Sequence, residues 1–424
     1  MLKNVTVNEN IITINNMNHP SCVTSFVRCL KKALTRHKDI IVICNCKKGS
    51  IFPDACLPIS AIINNYKNRY DINFDIQIPE NSYLKNCNFS TPLNLDVEEL
   101  KKIKYPLNKV IVYSSDPGYE GQIAQIVQLF IDYMSKETLC EEGVLNSLIW
   151  CINEVMDNVL VHSGETTGYV MGQYHPKKKK LAFCVCDCGI GIYETLANSP
   201  HNPLTEIDAL TIAVNEGVGD GKGQGNGLYG LYQIVMENGG KLTISSGKSS
   251  IMLNNRNLKK YEGGSELPNG CAGTIVDFQL DLSKKIDIQS ALKTIKGFDG
   301  FDIRIDNLWD DTNSEWLRYN VFENCTGTGT RIAGKELRND VINTLKRTSA
   351  PMILDFKDVK TCSSSFIDEF LCKLLLEIGI VDFNRLIKID NMSDFVSNLF
   401  ERSTYMRFHN EWENSRKKSD ESTK

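Results

Sequence analysis

Three short stretches carry residue types and spacings that could do chemistry. In NEVMDNVLVHS (153–163), Glu154, Asn158 and His162 recur every fourth residue, so on a helix they share one face. A carboxylate one turn from an amide oxygen can orient a water while the amide oxygen ligates Mg²⁺. Taken alone, the same stretch also reads as a solvated helix face. In DCGIGI (187–192), Asp187 could accept a hydrogen bond from an exocyclic amine, and Gly189 and Gly191 would let backbone approach a flat ring. A simple turn would use the same residues. The third stretch, GKGQGNGLYGLYQIVMENGG (221–240), holds a complete G-x-G-x-x-G at Gly225, Gly227 and Gly230. Glycine-rich turns ahead of helices recur in several unrelated phosphate sites, so the pattern alone does not choose among them.

The elements that must position these residues are legible around them. Leu145, Leu148, Ile149, Ile152, Met156 and Val159 form an apolar stripe at 3–4 spacing, which predicts a long amphipathic helix ended by Gly164. KLAFCVCD (180–187) reads as a strand that delivers Asp187 at its end and carries Cys184, Cys186 and Cys188 on a single face. With no C-x-x-C among 15 cysteines, buried thiols in a reducing compartment fit that alternation better than a metal site. KVIVYSS (109–115) opens this unit, with Asp116 expected as N-cap and Pro117 as first helical residue of GQIAQIVQLFIDYM. Residues 192–227 are irregular and glycine-rich, with a helical piece TEIDALTIAV inside them, the signature of a lid. KLTISSG and GTIVDFQLDL supply closing strands. A dinucleotide fold would place the glycines directly after a strand. NEGVGDGKGQ stands there instead, and no acid follows near Ser246 to take a ribose.

The order of motifs is more specific than any one of them. E-x-x-x-N on a helix, then D-x-G-x-G, then G-x-G-x-G-L-x-G opening a helix, then G-T before a strand resembles the GHKL family of ATPases. That family includes DNA gyrase, the heat-shock chaperones, sensor histidine kinases and anti-sigma serine kinases. The resemblance covers residues 105–284 and implies a Bergerat-type ATP-binding α/β sandwich with ATP and Mg²⁺ as cofactors. By motif it implies Glu154 as general base, Asn158 as Mg²⁺ ligand and Asp187 as the adenine-reading acid, with Gly189 and Gly191 lining the adenine pocket. Thr274 of CAGTIVDF would support Asp187 through water. Gly223, Gly225 and Gly227 would let lid backbone wrap phosphates at the helix from Leu228, with Lys222 either a γ-phosphate contact or exposed lid charge.

No histidine stands in the H-E or H-D context of a phospho-acceptor, and no long transducer domain follows, so the layout looks most like the anti-sigma serine kinases. MILDFKDVKTCSSSFIDEFLCKLLLEIG resembles the strand–loop–helix of STAS domains, and GTGTRIAGKELR with SSSFIDE looks like a bacterial STAS-like family of undefined function. In antagonists of that fold a serine in a D-S-S-G context is the kinase's substrate. Here Ser363 and Phe366 replace the acid and glycine, so Ser364 is either a phospho-acceptor or a helix cap. The expected architecture is therefore α/β throughout: residues 1–104 an α/β unit open to a STAS-like reading, 105–284 the ATPase unit, 285–414 STAS-like, and 415–424 a polar tail. Strands are expected at IITI, IIVICNC, INFDIQI, FDIRI, WLRYNVF and MILDF, and a linker over 85–107.

A net charge of −4 gives no electrostatic reason to expect nucleic acid or an anionic membrane. No uninterrupted apolar run reaches the ~18 residues of a spanning helix, and the start lacks a signal-peptide layout. A cytoplasmic protein is expected. The function implied is ATP hydrolysis or phosphorylation of a protein serine, with STAS-like units engaging a protein partner or a second copy of the chain. The alternative is a non-catalytic switch in which ATP closes the lid.

Overall fold

The computed structural model describes residues 4–47, 49–80, 82–197, 199–220, 225–292, 303–310 and 313–421. Mixed α/β structure runs through two compact units, one of residues 1–131 with 146–298, the other of 132–145 with 299–424.

In the first unit, four strands make an N-terminal sheet: β1 (Val5–Asn8), β2 (Ile11–Ile14), β3 (Asp39–Cys44) and β4 (Asn73–Gln77), in that spatial order. β1 and β2 form an antiparallel hairpin, and β3 and β4 add in parallel. Ile12, Ile14, Ile40, Val42 and Cys44 alternate inward, as half-buried strands should. The helix Ser21–Leu34 buries Cys22, Val23, Phe26, Val27, Leu30 and Ala33, one stripe at 3–4 spacing. The next helix, Pro53–Arg69, is buried on almost every side from Ala55 to Ile63. A helix apolar all round belongs between two layers, and this one sits between the first sheet and a second, larger one.

That second sheet has eight strands: β5 (Leu93–Asn94), β6 (Ile111–Ser114), β7 (Thr167–His175), β8 (Lys180–Asp187), β9 (Lys241–Ser246), β10 (Ser249–Asn254), β11 (Asn257–Glu262) and β12 (Thr274–Asp281). Their order is β11-β10-β9-β12-β8-β7-β6-β5, antiparallel throughout except for β5 beside β6. One face meets the helices Gln122–Glu137 and Val144–His162. Phe183 packs edge-on against Phe130 and lies beside Phe278, with ring centroids 5.1 and 5.9 Å apart, and Tyr113 Oη donates to the Met156 carbonyl. The other face carries Cys184, Cys186 and Cys188 together, as their alternation predicts, into the core shared with Pro53–Arg69. Asn64 Nδ2 donates to Tyr169 Oη across that core at 3.0 Å.

The second unit has its own sheet: β13 (Trp309–Asp310), β14 (Asn313–Asn320), β15 (Met352–Asp355) and β16 (Ile387–Asp390). Again a hairpin is followed by two parallel strands in the order β13-β14-β15-β16, the same pattern as the N-terminal sheet. Its helices are Arg331–Thr348, a continuous run from Ser364 to Ile378 with a π turn at Asp368–Cys372, Ile380–Leu386, and Asp394–Glu421.

Several sequence expectations are corrected. Residues 85–107 are not a plain linker: β5 pairs with β6, and Cys87, Phe89, Leu100 and Leu107 are buried. Asp116 is not an N-cap, because Gly118 and Gly121 turn the chain with positive φ and the helix starts only at Gln122. Within FDIRI, Ile303–Asp306 is helical, while Phe301 and Asp302 lie outside the described residues. The hairpin β10–β11 is an addition; β11, NLKKYE, is an edge strand with little apolar signal to announce it. The polar end expected as a tail continues a helix to Glu421, anchored at its start by Val396, Leu399 and Phe400. Among the described helices, only Val144–His162 is long and apolar enough to cross a membrane, with mean hydropathy 1.2, and Leu145, Leu148, Ile152 and Met156 are spent in the core.

Candidate functional site

Glu154 and Asn158 lie one turn apart on Val144–His162, both half-buried, as the periodicity predicts. The third glycine-rich stretch comes directly to them. A Cβ added at Gly227 would sit 2.7 Å from Glu154 Oε2 and 2.9 Å from Asn158 Nδ2, so any larger residue would have to displace the ends of those two side chains. Gly227 opens the helix Gly227–Asn238, whose first turn has no side-chain cap. Asn226, the residue placed to cap it, accepts instead from the Gly217 amide at 3.0 Å. A helix start that its N-cap side chain does not satisfy, beside a carboxyl and a carboxamide, favours an anion that brings its own counter-cation. Burial pushes the Glu154 carboxyl above its ordinary value, and the neighbouring Asp157 adds to the push. A carboxyl poised upward in this way is suited to taking a proton.

Gly230, one turn further, closes the same contact. Its missing Cβ would lie 2.1 Å from Trp150 Cη2, so the second helix lies directly on the first. The three glycines of the motif thus do three jobs. Gly225 adopts φ +69° where the loop folds back on Val218, Gly227 admits the Glu154–Asn158 pair, and Gly230 seats the helix.

Asp187 ends β8 and is 6 % exposed. Burial raises its carboxyl to about 7, against hydrogen bonds from the Gly189 amide and from the amide and hydroxyl of Thr274, which pull the other way. The Gly189 amide donates to Oδ1 at 2.8 Å. Thr274 stands opposite Asp187 in the β8–β12 register, beside the carboxyl it was expected to support. Gly189 is required by packing: its Cβ would fall 2.1 Å from the Ser163 carbonyl, where Val144–His162 ends. Gly191 has φ +83° and starts the short helix Gly191–Ala197, against Ala272 and Ser246. One helix thus touches both parts of the site. Nine residues of helix, about 14 Å, separate Glu154 from Ser163.

The lid segment holds two helices, Gly191–Ala197 and Glu206–Ala213, with a small core of Leu196, Ala209 and Ala213 that Leu228 joins. Its far end is tethered where sequence reading gave no warning: Asp220 Oδ2 lies 3.0 Å from His162 Nδ1, on the face shared with Glu154 and Asn158. Lys222 and Gly223 lie outside the described residues. Among the described residues no group of three or more His, Cys, Asp and Glu could hold a metal unaided.

In the second unit, the two motifs read from the sequence come together. A Cβ at Gly334 would lie 2.6 Å from the Phe366 carbonyl, and Arg338 Nη1 donates to the Glu369 carbonyl and side chain at 2.9 and 2.7 Å. Ser363, not Ser364, caps the helix, accepting from the Phe366 amide, and this leaves Ser364 exposed. Asp368 and Glu369 are not free to repel a negative group there: Arg407 forks onto Asp368 at 2.6 and 2.5 Å, and Arg338 and Lys373 hold Glu369. The polar run RND in Arg331–Thr348 is buried. Asp340 accepts from Ser135 Oγ and Tyr319 Oη, both at 2.6 Å, and Asn343 donates to the Ser135 and Thr138 carbonyls.

No curated protein matches the chain. Residues 333–396, which hold Gly334, Arg338, Ser364 and Glu369, match the family model of a STAS-like domain of unknown function (DUF4325), so the second unit contains a STAS-like domain.

Proposed function

We propose that the first unit binds ATP with Mg²⁺ at Glu154, Asn158 and Asp187 and cleaves it, and that the STAS-like domain passes the outcome to a protein partner. The observation that carries this reading is the start of Gly227–Asn238, not capped by Asn226, lying at Gly227 close beside Glu154 and Asn158. Phosphates fit that helix start, and the order of motifs across residues 105–284 resembles the GHKL ATPases. Asn158 Oδ1 offers a single neutral oxygen. That suits Mg²⁺, which usually takes one or two protein ligands and completes its shell with phosphate and water. At the other end Asp187 would accept from the adenine amine.

Bound ATP with Mg²⁺ supplies a phosphoanhydride whose terminal group can be moved to water or to a hydroxyl. Glu154 takes the proton from that water or hydroxyl, and burial raises its affinity for it. Asn158 orients through its side-chain oxygen. The first turn from Gly227 aims its N–H groups at negative charge, and the Asp220–His162 contact holds the lid end beside this face. The acceptor hydroxyl is either Ser364, exposed and uncommitted to capping, or a serine of a separate protein. The strand order shared by the two four-stranded sheets supports reading residues 1–104 as a second STAS-like unit.

Calorimetric titration of the full chain with ATP and GTP in Mg²⁺, followed by a phosphate-release assay, tests the reading. ATP binding about ten- to a hundredfold tighter than GTP is expected, from the charged hydrogen bond lost at Asp187. Absence of binding by either nucleotide would overturn it.

A further inference from the structure

A second cavity lies on the opposite face of the eight-stranded sheet. It encloses about 470 Å³ between the helices Ser21–Leu34 and Pro53–Arg69 and the strands β9, β10 and β12. That volume falls within the range of small-molecule pockets, roughly 300–1,000 Å³. Val23, Ile62 and Met252 give it apolar walls. Its polar end is unusual for a chain interior. Asp277 points from β12 on the same face as Cys184, its partner in the β8–β12 register, and is 3 % exposed. Asp54, in the first turn of Pro53–Arg69, lies near enough to repel it. Asp277 Oδ2 and Asp54 Oδ1 are both buried without a hydrogen-bond partner.

Two unsatisfied carboxyl oxygens on the wall of one cavity are costly, and an apolar residue at either position would avoid that cost. The basic side chains lining the cavity are engaged elsewhere: Arg28 donates to the Gly263 carbonyl at 2.6 Å, and Lys248 pairs with Glu266 at 2.7 Å. Among the described residues no trio of His, Cys, Asp and Glu makes the pair a metal site. A donor from outside the chain would supply the partner that both oxygens lack. One ammonium or guanidinium group can satisfy both oxygens at once through charge-assisted hydrogen bonds, and the walls call for hydrocarbon behind it.

We propose that this cavity binds a small organic cation, an amine or guanidine on an apolar body, with its charged head on Asp54 and Asp277. The cavity reaches neither Glu154 nor Asn158, but Asp187 and Ser246 are on its border, so it adjoins the adenine end of the proposed nucleotide site; the proposal rests on Asp54 and Asp277 and not on nucleotide binding.

Tyramine and agmatine, with the neutral alcohol tyrosol as control, test it by calorimetry and thermal shift on the full chain. Both amines should bind and raise the melting temperature, and tyrosol should bind at least tenfold more weakly. Asp277→Asn, nearly identical in shape, should weaken amine binding by at least tenfold while circular dichroism stays unchanged. Met252→Trp, which fills the cavity but keeps both carboxyls, should abolish binding. The proposal is overturned if tyrosol binds as well as tyramine, if both variants bind amines as the parent does, or if neither amine binds at millimolar concentration.

Discussion

At Glu154 the chain offers a carboxyl whose burial favours its protonated form, one turn from the Asn158 amide and close to Gly227. Glu154→Gln keeps the size and the helix but cannot take a proton. ATP turnover is expected to fall by about 10²–10⁴-fold while nucleotide affinity stays within a few-fold, read by steady-state phosphate release beside calorimetry. An unchanged rate would leave only a nucleotide-gated switch. Asp187 behaves differently, since its carboxyl titrates at about 7 rather than at its ordinary 3.8. The folded chain therefore keeps a proton on it, from about pH 4 to 7, that the unfolded chain has already released. This contribution to stability is largest below pH 4, falls as pH rises toward 7, and levels off above. Asp187→Asn should raise the urea midpoint at pH 8, leave it nearly unchanged at pH 4, and erase the preference for ATP over GTP. A variant equally destabilised at both pH values would contradict this account of the buried carboxyl.

At the scale of elements, the contact between Val144–His162 and Gly227–Asn238 is the decisive one, and it depends on Gly230. Gly230→Ala would drive a methyl group into Trp150, where the rigid indole cannot yield cheaply. Overpacking of this kind costs about 1–3 kcal/mol, so a lower urea midpoint with an unchanged slope is expected. The helix around Glu154, the strand ending at Asp187 and the glycine-led helix were all legible beforehand, because each is amphipathic or bounded by a strong turn residue. The contacts that complete the site were not. His162 pairs with Asp220, far along the chain, and Asn226 with Gly217 across an irregular loop, and nothing in local periodicity links either pair. Similarly, Arg338, Asn339, Asp340 and Asn343 look like the wet face of Arg331–Thr348, yet they are buried against polar backbone and side chains brought by tertiary structure. The short β10–β11 hairpin escaped because half of it is an edge strand, NLKKYE, whose one aliphatic residue is Leu258. The lid keeps a core of only a few residues, Leu196, Ala209 and Ala213 with Leu228. Limited proteolysis should cut between 192 and 227 in the free protein and slow with ATP–Mg²⁺. An identical pattern in both states would argue against closure over phosphate.

For the molecule as a whole, the layer between the two sheets of the first unit has a chemical property of its own. Cys184, Cys186 and Cys188 all face it, fully buried, and burial pushes each thiol well above its ordinary value. Because the thiolate is the reactive form, these three sulfurs should be silent toward iodoacetamide while the layer is closed. Half-buried cysteines such as Cys29 should react first. The β8 thiols then become a built-in clock for the parting of Pro53–Arg69 from the sheet. If labelling of a peptide spanning 180–188 is slow and follows the opening equilibrium, its rate measures how often that layer breathes, without any added probe.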